Sequence, residues 1–297
     1  MVLPVSWIAD STSFGPLAAE ARTQGPQRLS ASETHVELKQ AAIEAVLTLT
    51  NYEPADTLED IAARLLSDAE APLTEAVGSL HHPGSRSRGA VIYPQLGGIT
   101  PDRASVMVVV EQQIDSADGV RSETRTLDVR LRREAGQWRF DYLASAGGEP
   151  VPLPEFLSPE ALAVLNNPRI DLADSARWDI LAGRISPALL QVLARIAERT
   201  PLGVVTFYSG HPWEVFGTDR QSDHSRGLAA DIYSTGGVRV IDDREVNSAT
   251  YDLVTWLHTQ PELARIGSPW ELEDIGVISF SDALHQDHIH IAVDPNL

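Results

Sequence analysis

The chain has 297 residues, 43% of them hydrophobic and 22% charged, enough to bury more than one core of ordinary domain size. Its formal net charge of −19 argues against a general nucleic-acid binder, whose phosphate contacts need a basic surface. It has no cysteine, which excludes disulfides, thiolate zinc sites and cysteine nucleophiles together.

Residues 1–31 are rich in Ser, Gly, Pro and Ala and are expected to form an extended lead-in. The opening MVLPVSWIADSTSFG has no basic n-region, and Asp10 interrupts its short apolar stretch, so it is a poor signal peptide as it stands. It is compatible with what remains once an upstream anchor has been removed. No apolar run reaches the length of about 18 residues that a membrane-spanning helix needs. Lys39 is the one lysine in the chain.

Two helical patterns follow. ETHVELKQAAIEAVLTLT carries Val36, Leu38, Ile43, Val46, Leu47 and Leu49 as a stripe, and TLEDIAARLLSDA opens with Thr57 and Asp60 at capping-box spacing. His81-His82, with Arg86 and Arg88, reads as an exposed loop. The period then changes. RASVMVVVEQQI is an apolar run of strand length. TRTLDVRLRRE alternates, with Leu127, Val129 and Leu131 on one face and Asp128, Arg130 and Arg132 on the other. GQWRFDYLA places Trp138, Phe140 and Tyr142 together, and Asp118-Gly119 and Ala135-Gly136 mark hairpin turns. Helices followed by an antiparallel meander make an α+β unit. This order, with a tryptophan in the last strand, resembles the NTF2-like group over about residues 32–146, a group whose domains often serve as binding or spacing modules.

GGEPVPLPEFLSPE, with prolines at 150, 152, 154 and 159, reads as a stiff linker. Beyond it, SPALLQVLARIAERT predicts a helix with Ser186 as N-cap and Pro187 at N1. GVVTFYSG, LAADIYST, VRVI and DHIHIAVD predict strands, and SATYDLVTWLHTQPELARIG a further helix.

The chemistry lies in two of these segments. In DHIHIAV the two-residue period puts His288 and His290 on one face and Ile289 and Ile291 on the other. In LAADIY it puts Ala229, Asp231 and Tyr233 opposite Leu228, Ala230 and Ile232. An aspartate inside an apolar strand is costly unless it is paired or bound to a cation. His224 precedes that strand, with Gly227 free to bend the chain sharply. Two imidazoles and a carboxylate are a common catalytic zinc set, because three protein ligands leave a position for water.

Ser222-x-His224-x-x-Gly227-x-Ala229-x-Asp231 resembles the signature of the D-Ala-D-Ala metallopeptidases, and His285-x-x-His288-x-His290 resembles the ending of the penicillin-insensitive murein endopeptidases. Both belong to a zinc-peptidase superfamily that includes lysostaphin-type enzymes and the hedgehog domain. The resemblance covers about residues 160–297. It implies that His224, Asp231 and His290 bind Zn2+, that His288 is the catalytic histidine beside the metal, and that His285 assists. The implied substrate is an amide bond in peptidoglycan peptide stems, which places the protein outside the cytoplasmic membrane. A second-sphere acceptor for a ligand histidine would be Asp287 or a backbone carbonyl.

Two features depart from the carboxypeptidase branch. No glutamate stands shortly before the last histidine, and His211 occupies the place after the first strand where an arginine would hold a terminal carboxylate. Both favour an endopeptidase, and both leave open a non-catalytic zinc module that binds cell wall or protein; a zinc hydrolase of another small amide is a third possibility. The expected architecture is therefore α+β in two domains: a lead-in over 1–31, an NTF2-like helix-plus-antiparallel-sheet module over 32–147, a linker over 148–159, and a zinc-peptidase-like domain over 160–297.

Overall fold

A computed structural model describes residues 29–65, 75–273 and 276–296; most of the expected lead-in lies outside the described residues. The chain is a mixed α+β structure built on two largely antiparallel sheets.

Helix α1 (Val36–Thr50) buries Leu38, Ala42, Ile43, Val46 and Leu49, positions three or four apart that share one helical face. Helix α2 (Leu58–Leu65) begins as its sequence predicts: Thr57 Oγ1 accepts from the Asp60 amide, and the Thr57 amide donates back to the Asp60 carboxylate at 2.9 Å. A short turn, α3 (Glu75–Gly78), leads to four strands in sequential order, β1 (Arg86–Ile99), β2 (Arg103–Ser116), β3 (Gly119–Glu134) and β4 (Gln137–Ser145).

Strand β1 corrects the sequence reading. Arg86 and Arg88 lie in it and not in a loop. It carries Gly89, Pro94, Gly97 and Gly98, residues that normally punctuate, and it accommodates them with irregularities between Val91 and Tyr93 and between Leu96 and Gly98. Strand β4 holds a smaller surprise. Its register shifts between the Arg130–Tyr142 and Leu131–Phe140 pairs, so Tyr142 is exposed while the next residue, Leu143, enters the core.

Strand β2 shows why its sequence is an apolar run rather than an alternation. Val106, Val108 and Val110 pack with α1 in the first core. Met107 and Val109 point the other way and join Tyr93, Ala173 and Val205 in a separate apolar seam. Both faces of the strand are covered, so both must be apolar. The seam draws on both halves of the chain, and polar contacts cross it as well: Thr126 Oγ1 donates to the Val205 carbonyl, and the Thr124 amide donates to the Asp174 carboxylate at 2.8 Å.

Residues 146–158 contain no helix or strand. Helix α4 (Pro159–Leu165) is capped by Ser158, whose side chain accepts from the Ala161 amide. The second half continues with β5 (Ile170–Leu172), α5 (Asp174–Leu181), α6 (Pro187–Arg199), β6 (Leu202–Thr206), β7 (Ala229–Thr235), β8 (Val238–Arg239), α7 (Ala249–Leu257), β9 (Leu263–Gly267), β10 (Ile278–Phe280) and β11 (Ile289–Val293). The expected helix over 248–267 therefore divides. It stops at Leu257, with His258 at its C-cap, and LARIG forms a strand, as its β-branched Ile266 and terminal glycine allow. The second sheet runs β10-β9-β11-β7-β6-β5, with β8 paired to β7. Ala230, Ile232, Ile289 and Ile291 all enter the core formed with α4, α6 and α7, so the alternate positions of β7 and β11 face the first half.

Candidate metal centre

Strands β7 and β11 are antiparallel neighbours, and Asp231 is the direct register partner of His290. Directly opposite residues project to the same face, so burying the isoleucines places the carboxylate and the imidazole side by side. His224 arrives from a single 3₁₀ turn, residues 224–226, that ends at Gly227. Gly227 has φ of 70°, and a Cβ there would lie 1.8 Å from the Arg184 carbonyl oxygen. Only glycine makes this turn without displacing backbone. Ser222 and Ser225 tie the turn down, Ser225 donating to the Trp213 carbonyl at 2.8 Å.

Three donor atoms converge. His224 Nε2 lies 3.1 Å from Asp231 Oδ1, His290 Nδ1 lies 2.9 Å from the same oxygen, and the two nitrogens are 3.1 Å apart. A tetrahedral zinc ion with bonds of about 2.0–2.1 Å would hold its ligands only slightly further apart than this. His224 Nδ1 is 2.6 Å from the Phe207 carbonyl and donates to it. That contact orients the ring and, in the neutral form that ligates, puts the proton on Nδ1 and leaves Nε2 free to bind a cation. A proton or a metal cation can bridge the two groups, and with His290 Nδ1 alongside the donor set fits a metal ion.

His211, Asp231 and His224 form a group whose donor atoms all lie within 4.8 Å of one another and which could hold a metal ion. The His211 ring stacks on that of His224 at 3.9 Å and 11°, with Nδ1 held 2.7 Å from the Pro212 carbonyl. In sequence His211 drew notice only as a substitute for an arginine. It sits in an irregular loop after β6, and only the fold brings it to His224. A histidine in the loop a few residues beyond a predicted strand was the one available signal.

His288 stands at the edge of this cluster, Nε2 3.9 Å from Asp231 Oδ1. Its Nδ1 is 2.7 Å from Asp287 Oδ1, so Asp287 supports His288 and not a ligand histidine, and the backbone acceptor belongs to His224. His285 is further out. Its Nδ1 pairs with Asp282 at 2.7 Å, and its ring centroid is 5.0 Å from that of His288 and 5.8 Å from that of His290.

The electrostatics follow from burial among these charges. Burial works to raise the Asp231 carboxyl, but the His224 and His288 imidazoles outweigh it and hold the group well below the usual carboxylate range. Burial pushes His290 down to about 4, only partly opposed by Asp231, and pushes His211 well below its ordinary value. Both rings are thus neutral near pH 7, the form that ligates. His288 goes the other way: burial lowers it, yet Asp231 and Asp287 prevail and raise it. Asp287 is brought down to about 2, because Lys39 and His288 overcome its desolvation.

No family model and no curated protein matches the chain. Among solved structures, a function-unknown protein from Mycobacterium tuberculosis is similar over 37% of this chain at 19% identity, with a TM-score of 0.18. The match takes in 54% of that protein, so the chain spans about half its length. Among the described residues no helix is long and apolar enough to cross a membrane.

Proposed function

We propose that the chain is an exported zinc peptidase that cleaves amide bonds in the peptide stems of peptidoglycan, acting as an endopeptidase. The observation that carries the proposal is the donor triangle of His224, Asp231 and His290, with edges of 2.9–3.1 Å and His288 beside it. The two motifs that resemble murein peptidases supply the substrate class. In this reading the second half, residues 160–297, is the zinc-peptidase-like domain and residues 32–147 an NTF2-like module.

His224, Asp231 and His290 would hold the zinc ion, which when bound acts as a Lewis acid on an amide carbonyl and acidifies water at the site. The chain's own residues handle the protons. Asp287 keeps the His288 Nδ1–H engaged, so Nε2 is the atom that exchanges a proton with water or with the departing amine. Water adds its oxygen to the carbonyl carbon, the C–N bond breaks, and the proton ends on the amine nitrogen. His285 lines the same side and steadies His288 from outside.

A second reading rests on His211. If its free ring nitrogen completes the coordination, the ion has four protein ligands and the centre is a closed structural site. The protein would then be a binding module for wall or protein. Incubation with purified cross-linked muropeptides, followed by mass spectrometry, decides between them. Cleavage that disappears in His288→Ala supports the peptidase, whereas binding without turnover overturns it.

A further inference from the structure

The first half of the chain reaches into the centre at two points. Gln95, on β1 and fully buried, donates from Nε2 to Asp231 Oδ2 at 2.6 Å. The carboxylate can only accept, so the amide must present its nitrogen here. Asp231 Oδ1 is the oxygen that meets His224 and His290, and Gln95 therefore engages the other one. The second point is Lys39 on α1, also fully buried. Its ammonium pairs with Asp287 Oδ2 and with Glu33, while Asp287 Oδ1 holds His288. The Leu96 amide joins Lys39 on Asp287 Oδ2 at 3.1 Å, and the Tyr93 hydroxyl donates to the Asp287 carbonyl at 2.8 Å.

Neither residue suits a plain interdomain core. Gln95 Oε1 is buried with no partner among the described residues, and so is Glu33 Oε2. An apolar set replacing Glu33, Lys39 and Asp287 together would leave no polar atom unsatisfied, and whole buried ion groups are often replaceable in this way with no loss of stability, whereas removing Lys39 alone would strand two buried carboxylates. The arrangement makes sense if these groups orient what they touch.

We propose that Gln95 and Lys39 are positioning residues of the metal centre, supplied by the first half of the chain. Gln95 turns Asp231 so that a single oxygen faces the ligand cluster, and Lys39 fixes Asp287 so that it holds His288. The module over residues 32–147 is then a working part of the site and not a separate binding or spacing unit. The proposal deepens the zinc reading above and rests on it.

The test uses the full chain. Zinc affinity is measured by competition with a chelator, and the visible spectrum of the cobalt-substituted protein reports ligand geometry. Gln95→Leu is expected to bind zinc 10–100-fold more weakly, the usual cost of losing an outer contact to a ligand, with an altered cobalt spectrum, and to lower the melting temperature of the metal-free protein only by the few degrees that one lost buried hydrogen bond accounts for. Gln95→Asn, which is too short to reach Asp231, is expected to do the same and serves if the leucine variant misfolds. Lys39→Met is expected to lower kcat on muropeptides at least tenfold with KM unchanged, and Lys39→Arg, which keeps the charge, to recover most of it. Wild-type zinc affinity and cobalt spectrum in both folded Gln95 variants would overturn the proposal while leaving the zinc reading intact. A wild-type protein that binds no zinc would instead remove the zinc reading itself.

Discussion

His224 Nε2 sits 3.1 Å from Asp231 Oδ1 while its other ring nitrogen, Nδ1, is engaged by the Phe207 carbonyl at 2.6 Å. A ring nitrogen this close to a carboxylate is bridged either by a proton or by a metal cation, and a bound cation makes the two groups a pair of ligands. Each of His224→Ala, Asp231→Ala and His290→Ala should therefore weaken zinc binding by more than the 10–100-fold expected for an outer contact. Equilibrium dialysis with metal analysis reads this directly. His211→Ala separates the two coordination schemes. A small loss assigns His211 to packing against His224, and a loss equal to the others makes it a fourth ligand.

The same residues set a pH dependence for the metal-free protein. His290 is brought by burial from 6.5 to about 4, and burial also holds His211 well below its ordinary value. Between those limits the unfolded chain takes up protons that the folded one refuses, so stability falls as pH drops. His288, which is raised, does not offset this, because below pH 6.5 it is protonated in both states and its contribution is constant. A shift of that size at His290 corresponds to about 3 kcal/mol. The urea midpoint of the chelator-treated protein should fall between pH 6.5 and 4. His290→Gln, which cannot titrate, should flatten the slope.

Part of this site is legible in the sequence, and the reason is local. Asp231 and His290 each sit in a strand whose alternate residues are aliphatic, so burying Ile232 or Ile289 in the core dictates where they point. His224 is legible through Gly227, since a turn that only glycine can make fixes its approach to the strand. Gln95, Lys39 and His211 are not legible in this way. Their roles depend on how two sheets meet, and nothing within a few residues of them encodes that. Gln95 was further concealed because β1 carries a proline and glycines and is irregular at two places, so it has no clean two-residue period. The run SVMVVV carried a hint of the meeting itself: a strand apolar on both faces has to be covered twice.

Lys39 offers a test of that meeting which is independent of metal and substrate. It is the chain's one lysine, it is fully buried, and it lies between Glu33 and Asp287. Its amine should resist acylation by an N-hydroxysuccinimide ester in the native protein and react completely after denaturation, as followed on the peptide containing Lys39. Ready labelling in the native state would mean that the two halves do not close over it.

Gly227 provides the sharpest single-residue check of the site's backbone, because the chain contains its own control. Gly183 also has a positive φ, 68°, but a Cβ there would meet nothing within 4 Å. Gly183→Ala should therefore cost only the left-handed strain of about 1–2 kcal/mol. Gly227→Ala carries the same strain and in addition drives a methyl into the Arg184 carbonyl, a backbone atom that cannot rotate aside. Its melting temperature should fall clearly further, with each kcal/mol worth about 2–4 °C in a protein of this size class. Because the turn moves to relieve the clash, His224 moves with it, and zinc affinity should drop in Gly227→Ala while remaining normal in Gly183→Ala. Equal behaviour of the two variants in both measurements would show that the turn at 224–227 does not hold His224 in place.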